Sequence, residues 1–251
     1  MNFIVEDGTG LATSTSYTSI AYADAYFSQN GNMAWPFSLS SLICTFDETG
    51  KTITDDDLTD FEAIGIYPGL FINLNFATNS GWYTVADVAT NVITVSEALI
   101  DATSETGDLH YTENKTLWLK GSVTLQKERV LNNATRWLDG RYSDKYPGYK
   151  DSGTQALQWP REYAFDRDGY ELEEVPTLIK QATCESAYLN STGTALDETI
   201  ENGITGYTKR VGPITDSKTF SGSSSSRKIY TVIDDMLKTI ISGRGIMTVK
   251  V

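Results

Sequence analysis

The sequence predicts an α+β protein in which a small bundle of about four helices is interrupted by an inserted antiparallel β-barrel or β-sandwich. Residues 36–113 contain thirteen acidic residues and one base, Lys51, so they carry −12 of the chain's formal net charge of −13. Apolar residues alternate with polar ones there and recur at helical spacing on both sides. These two changes predict an acidic inserted domain at 36–113 within a helical domain of 1–35 and 114–251.

The first helix and the strands of the insert follow in chain order. Ser19 is a good N-cap, and the apolar spacing behind it predicts a helix to about Gln29. In the insert, β-branched and aromatic residues alternate with polar ones between turn signals such as Pro68-Gly69. Asp55-Asp56-Asp57, which precede these runs, are interpreted as the start of a solvated helix. Strands are predicted at 70–76, 82–88, 92–96 and 108–112.

Three more helices are predicted after the insert. Residues 122–139 place Val123, Leu131 and Trp137 on one apolar stripe. Pro176 suits the first turn of a helix that runs to about Asn190. Residues 228–241 form a further helix, because Ser242-Gly243 ends the apolar pattern there. A strand-like stretch at 206–214 lies between the last two helices.

Several kinds of chemistry are not expected from the residues present. His110 is the only histidine, and the sequence has no glycine-rich nucleotide loop. Cys44 and Cys184 lie far apart without metal-ligand spacing. No run reaches the about 18 apolar residues of a membrane span. We therefore expect no catalytic residues, no metal, no cofactor and no membrane partner, which is the pattern of a protein that is not an enzyme.

A basic stretch is the strongest candidate for binding. Residues 115–150 hold eight Lys and Arg residues against three acids, with aromatic residues between them. Cations interleaved with stacking rings are typical of proteins that bind single-stranded nucleic acid. Arg136, Arg141 and Lys145 are the candidate contacts. The overall charge of −13 opposes this interpretation, since it repels phosphate.

Several segments together resemble one phage protein family. They are residues 5–35, 136–148, 155–187 and 209–214, and they occur in the family's order. The family is labelled both DnaT-like single-stranded-DNA-binding and head-tail adaptor. Its most specific run here contains Trp159, Pro160 and Arg161, followed by Asp166, Asp168, Gly169 and Tyr170. Because these segments follow one another almost directly in the family, 36–113 are an insertion, which resembles small β modules of phage tail and neck proteins.

The resemblance implies a head-to-tail adaptor of a tailed bacteriophage, assembled in the host cytoplasm and located in the virion neck. Its partners would be the portal protein, a tail-side neck or tail terminator protein, and further copies in a ring, expected to be a dodecamer. Double-stranded DNA would pass through the acidic lumen without specific binding. The run from Trp159 to Tyr170 would support folding and inter-subunit packing. The residues that would grip the portal by strand addition are Arg244, Ile246, Met247, Val249 and Val251.

Two alternatives remain open at this stage. The first is a single-stranded-DNA-binding protein of phage replication, with Arg136, Arg141 and Lys145 on the phosphates. The second makes the insert a receptor- or sugar-binding module, which requires Trp82 and Tyr83 to be exposed.

Overall fold

The computed structural model describes residues 2–114, 118, 122–172, 174–192, 196, 199–200, 204–210, 215–220, 226–227 and 230–241. The chain divides into two compact units. The barrel unit is Thr18–Val130, and the terminal unit combines Met1–Tyr17 with Leu131–Val251. Within the described ranges, no helix combines the length and the apolar character needed to span a bilayer.

The barrel unit is built around a closed, fully antiparallel β-barrel. Its strands pair in the order β1-β2-β5-β4-β3-β6, so the first and last strands of the row also pair. The pairing of β1 with β6 closes the sheet, so no strand edge is left exposed. Alternate residues of the strands, such as Ile72 and Leu74 of β3, fill the interior. The strands are β1 (Phe37–Asp47), β2 (Thr52–Asp55), β3 (Phe71–Asn75), β4 (Ser80–Ala89), β5 (Val92–Val95) and β6 (Ala102–Thr112).

The four predicted strands match β3 to β6, whereas β1 and β2 were missed. The register of β1 shifts between Leu39 and Leu42 and again between Cys44 and Phe46. The first shift places an extra residue in β1 and so breaks the alternation of inward and outward residues that identifies a strand. The solvated helix expected at Asp55 is wrong. Its carboxylate is buried and accepts the N–H groups of Asp57 (3.3 Å) and Thr59 (2.8 Å) in a turn after β2.

The barrel unit also contains α1 (Ile20–Gln29) and the start of α2 (Val123–Tyr142). The predicted cap is confirmed, since Ser19 Oγ accepts the N–H of Tyr22 at 3.1 Å. Phe27 of α1 stacks on Trp35 with ring centroids 4.7 Å apart. The predicted apolar stripe of α2 is confirmed by Val123, Leu131 and Trp137, all of which are buried.

The terminal unit contains the end of α2, α3 (Thr177–Ser191) and α4 (Thr231–Ile241), as the helical spacing predicts. The fold is therefore α+β, with four helices and a closed six-stranded barrel in the described residues. The terminal unit's core packs Trp137, Trp159, Ile179 and Leu237 into one cluster. Its short strands form two-stranded pairs: β7 (Tyr149–Lys150) with β8 (Arg161–Glu162), β9 (Thr199–Ile200) with β12 (Ser226–Arg227), and β10 (Ile204–Arg210) with β11 (Thr215–Phe220).

Candidate nucleic-acid interface

Three candidate cations lie at and just after the C-terminal end of α2 in the terminal unit. We call Arg136, Arg141 and Lys145 the α2 cation cluster. Arg136 and Lys145 are exposed, and Arg141 is half-buried. The guanidinium carbon of Arg141 lies 5.4 Å from the ring centroid of Trp137 and 5.7 Å from that of Tyr142. Lys145 Nζ lies 5.2 Å from the Tyr142 centroid, so buried rings support two of the three cations.

Hydrogen bonds hold Arg141 and Tyr142 in place. Arg141 Nε donates to Tyr142 Oη at 3.3 Å, and Tyr142 Oη donates to Asp234 Oδ1 of α4 at 2.6 Å. Burial raises the pKa of Tyr142, and the hydrogen bond to Asp234 raises it further, so the phenol remains a neutral donor. Arg141 Nη2 lies 4.0 Å from Asp234 Oδ2. Asp234 therefore offsets part of the Arg141 charge and leaves Arg136 and Lys145 as the exposed cations of the cluster.

The aromatic rings beneath these cations are unavailable for stacking on bases. Trp137 is 7 % exposed and Tyr142 is fully buried. Trp137 Nε1 donates to the carbonyl of Leu196 at 2.9 Å, which fixes the indole in the core. The α2 cation cluster therefore offers positive charge to a ligand, and aromatic surface has to come from elsewhere.

Exposed aromatic side chains occur at the pairing of β7 with β8, which we call the tyrosine ribbon (residues 148–150 and 161–163). Tyr149 pairs with Glu162, and Lys150 pairs with Arg161. The side chains of Tyr149 and Tyr163 are 74 % and 68 % exposed. A Cβ atom added to Gly148 would lie 2.1 Å from the Glu162 carbonyl oxygen, so only glycine permits this close approach of the two backbones.

Arg161 holds the tyrosine ribbon together from within. Its Nε donates to the carbonyl of Pro147 at 2.6 Å and its Nη2 donates to that of Gly148 at 2.8 Å. Its Nη1 donates to the carbonyl of Gln158 at 3.3 Å. Charge-assisted bonds to three carbonyls fix the guanidinium on the backbone and leave it few donors for a ligand.

The residues before Arg161 are anchored to the end of α2. Tyr17 donates a hydrogen bond to Asp139, and the Gln158 N–H donates to Tyr17 Oη (3.0 Å) and Asp139 Oδ2 (3.1 Å). Burial raises the pKa of Asp139 to about 6, against the lowering effect of these hydrogen bonds. Trp159 is fully buried, and its peptide bond to Pro160 is cis. The segment that carries Trp159, Pro160 and Arg161 thus has a fixed position in the terminal unit.

The second part of the sequence motif is a tight turn. Asp166 Oδ1 accepts the N–H groups of Asp168 (3.0 Å) and Tyr170 (2.8 Å), and Gly169 has φ +88°. The Arg167 N–H donates to the carbonyl of Thr239 in α4 at 2.9 Å. The turn therefore holds α4 within the unit. A role of these residues in inter-subunit packing stays a prediction.

The remaining candidates fall into two groups. The predicted portal-binding residues Arg244, Ile246, Met247, Val249 and Val251 lie outside the described residues, as do Lys115 and Lys120 of the basic stretch. In the barrel unit, Trp82 and Tyr83 of β4 are half-buried. Tyr163 was not predicted as a candidate, because a lone tyrosine outside the basic stretch has no spacing that marks it.

The family assignment comes from a comparison with family models. A model described as "Putative DnaT-like ssDNA binding protein" matches residues 1–41 and 98–251. The chain belongs to this family. The unmatched residues 42–97 lie inside the acidic β insert. No curated protein matches. One solved structure, "Phage phi92 endosialidase", is 21 % identical over 30 % of this chain and 12 % of that chain, with a TM-score of 0.23.

This assignment confirms the predicted family and corrects the predicted function. The family's description names single-stranded DNA binding, so the head-to-tail adaptor is wrong and the alternative is better supported. The same finding shows that the predicted partners are wrong. These were the portal, the tail-side neck or tail terminator protein, further copies in a ring, and double-stranded DNA in a lumen. The adaptor interpretation gave weight to the overall charge of −13, which opposes phosphate binding, although residues 36–113 carry −12 of it and the family model leaves 42–97 unmatched. The location in the virion neck stays a prediction.

Proposed function

We propose that this protein binds single-stranded DNA through the α2 cation cluster, as a binding protein without catalytic activity. The observation that carries the proposal is the position of Arg141 and Lys145 over buried rings, together with the exposure of Arg136 on the same helix as Arg141. Membership in a family described as DnaT-like and ssDNA-binding supports it. In proteins that bind single-stranded DNA, positive groups along the path of the DNA backbone attract its phosphates.

The cluster is suited to phosphate because its cations are partly ordered before binding. The side chain of Arg141 is held by two rings and by its bond to Tyr142. Less conformational entropy is therefore lost when it meets a phosphate oxygen. Lys145 Nζ lies over the Tyr142 ring only, and both Lys145 and Arg136 are exposed, so they contribute accessible positive charge.

The acidic insert limits where DNA can bind. Residues 36–113 carry −12, whereas the rest of the chain carries −1. Carboxylates repel phosphate, so the favourable contacts come from the terminal unit. Because the cluster supplies only three cations, we expect binding that weakens as salt concentration rises with a slope of about −2, or about −0.7 for each neutralised phosphate.

Fluorescence anisotropy of a labelled oligo-dT, measured across a salt series, tests the proposal. The double substitution Arg136→Gln and Lys145→Gln should weaken binding. It should also make the negative slope of log K against log salt shallower by about 1.4, or about 0.7 for each lost charge. Arg167→Gln is the matched control, because Arg167 is an exposed cation of the same unit outside the cluster. Absence of wild-type binding at low salt, or equal slopes for the double variant and the control, would contradict the proposal.

A further inference from the structure

We infer that Tyr149 and Tyr163 form a stacking platform for the bases of single-stranded DNA. This inference rests on the proposed function and adds a second, aromatic part to the site. The α2 cation cluster would hold phosphates, and the tyrosine ribbon would hold bases.

The two tyrosines expose far more ring surface than a side chain in a packed fold needs to. They are 74 % and 68 % exposed. Their backbones are neighbours, because Tyr149 pairs with Glu162 and Tyr163 follows directly. Both exposed rings therefore belong to one short ribbon, and exposed aromatic rings are the surfaces on which single-strand binders stack bases.

The ribbon is rigid enough to present these rings. Arg161 ties the carbonyls of Pro147 and Gly148 to the β8 strand. Tyr163 has φ +53°, in the left-handed region that residues other than glycine seldom adopt, and Ala164 next to it is fully buried. Since the surrounding structure must hold this backbone in place, the exposed ring at Tyr163 is a feature that the fold maintains.

The charges around the rings favour a base over a phosphate at this spot. Arg161 is engaged by backbone carbonyls, and the Glu162 carboxylate faces solvent opposite Tyr149. Lys145 lies four residues before Tyr149 along the chain and is exposed. A DNA strand with its phosphates toward Lys145 and its bases on the tyrosines would contact both the α2 cation cluster and the tyrosine ribbon. In a duplex the base faces are already stacked, so this platform selects single strands.

Substitution of the two tyrosines tests the platform. We expect Tyr149→Ala with Tyr163→Ala to lower oligo-dT affinity by at least about tenfold, because each base stacked on an aromatic ring contributes strongly to binding. The slope against salt should stay at the wild-type value, since no charge is removed. The paired Phe substitutions keep both rings and should bind within about twofold of wild type. Tyr170→Ala removes a tyrosine of similar exposure, 73 %, outside the ribbon and should have no effect.

Photocrosslinking with an oligonucleotide that carries 5-iodouracil gives a second readout on the unaltered protein. Crosslinks should map to Tyr149 or Tyr163, which keeps the test valid if an Ala variant folds poorly. Wild-type binding that both Ala substitutions leave intact, with crosslinks elsewhere, would overturn the platform and leave the proposed function standing. Failure of the wild-type protein to bind oligo-dT at any salt concentration would remove the proposed function and the platform together.

Discussion

Lys127 Nζ lies 2.7 Å from Asp24 Oδ1, and the lysine side chain is only 1 % exposed. The same carboxylate oxygen accepts the Trp35 indole N–H at 2.6 Å. Burial lowers the pKa of Lys127, and the nearby Asp24 carboxylate opposes this shift. Lys127 therefore belongs to the core of the barrel unit, although it stands within the basic stretch of the sequence.

The first prediction concerns this pair. Asp24→Ala should lower the free energy of unfolding by about 3–5 kcal/mol, because it leaves a buried ammonium group without its partner. Lys127→Met keeps an unbranched side chain in the same space and should cost less, since no buried charge remains. Urea unfolding of both variants measures the difference. Lys127→Met should also bind oligo-dT like the wild type; weaker binding would mean that Lys127 takes part in the interface.

The second prediction concerns the close approach at Gly148. Gly148→Ala should destabilise the protein by at least about 1–3 kcal/mol, because a Cβ atom would meet the Glu162 carbonyl oxygen at 2.1 Å and Gly148 has φ +66°. The control is Gly153→Ala, where the added Cβ meets nothing within 4 Å. Thermal unfolding compares the two. An equal melting temperature for both variants would show that the ribbon tolerates separation of its strands.

The sequence was sufficient where the relevant signal is local. The cap of α1 at Ser19 and the stripe of α2 follow from spacing within one element, and both are confirmed. The alternating residues of β3 and β5 were found, as were parts of β4 and β6, whereas a bulge interrupts the alternation of β1. The inserted domain at 36–113, predicted from its charge and its period, stays a prediction.

The candidate site could be predicted only in part, because exposure depends on contacts between distant residues. Arg136 and Lys145 were candidates because they lie in the basic stretch. Lys127 lies in the same stretch, but its side chain is buried in an ion pair with Asp24. Tyr163 is brought near Tyr149 by the pairing of Tyr149 with Glu162, although ten residues, 151–160, separate β7 from β8 along the chain. No periodic pattern in a sequence reports such a pairing.

The third prediction concerns Glu6, a carboxylate at 2 % exposure. It accepts the N–H groups of Gly10 (2.9 Å) and Leu11 (3.1 Å) and the Ser14 hydroxyl (2.7 Å), so it organises the N-terminal loop. Glu6→Ala should lower the free energy of unfolding by about 2–4 kcal/mol, because several donors lose a charged acceptor. Asp7→Asn alters the exposed neighbour and should change stability little. Chemical denaturation of both variants decides the matter, and equal midpoints would contradict the role of Glu6.

The last prediction concerns pH and Asp139, whose pKa burial raises from 3.8 to about 6. Between about pH 4 and 6 the folded protein keeps a proton on Asp139 that the unfolded chain has released. This group's contribution to stability therefore falls as pH rises through that window, by at most about 1.4 kcal/mol per pH unit, and is constant above it. Asp139→Asn removes the titrating group and should remove this component.

The measurement is the difference in unfolding free energy between wild type and Asp139→Asn at a series of pH values. That difference isolates one group, because the other carboxylates titrate in both proteins. It should shift in favour of the Asn variant between about pH 4 and 6 and stay flat from pH 6 to 8. A step of opposite sign would mean that the Tyr17 and Gln158 hydrogen bonds outweigh burial and hold Asp139 ionised.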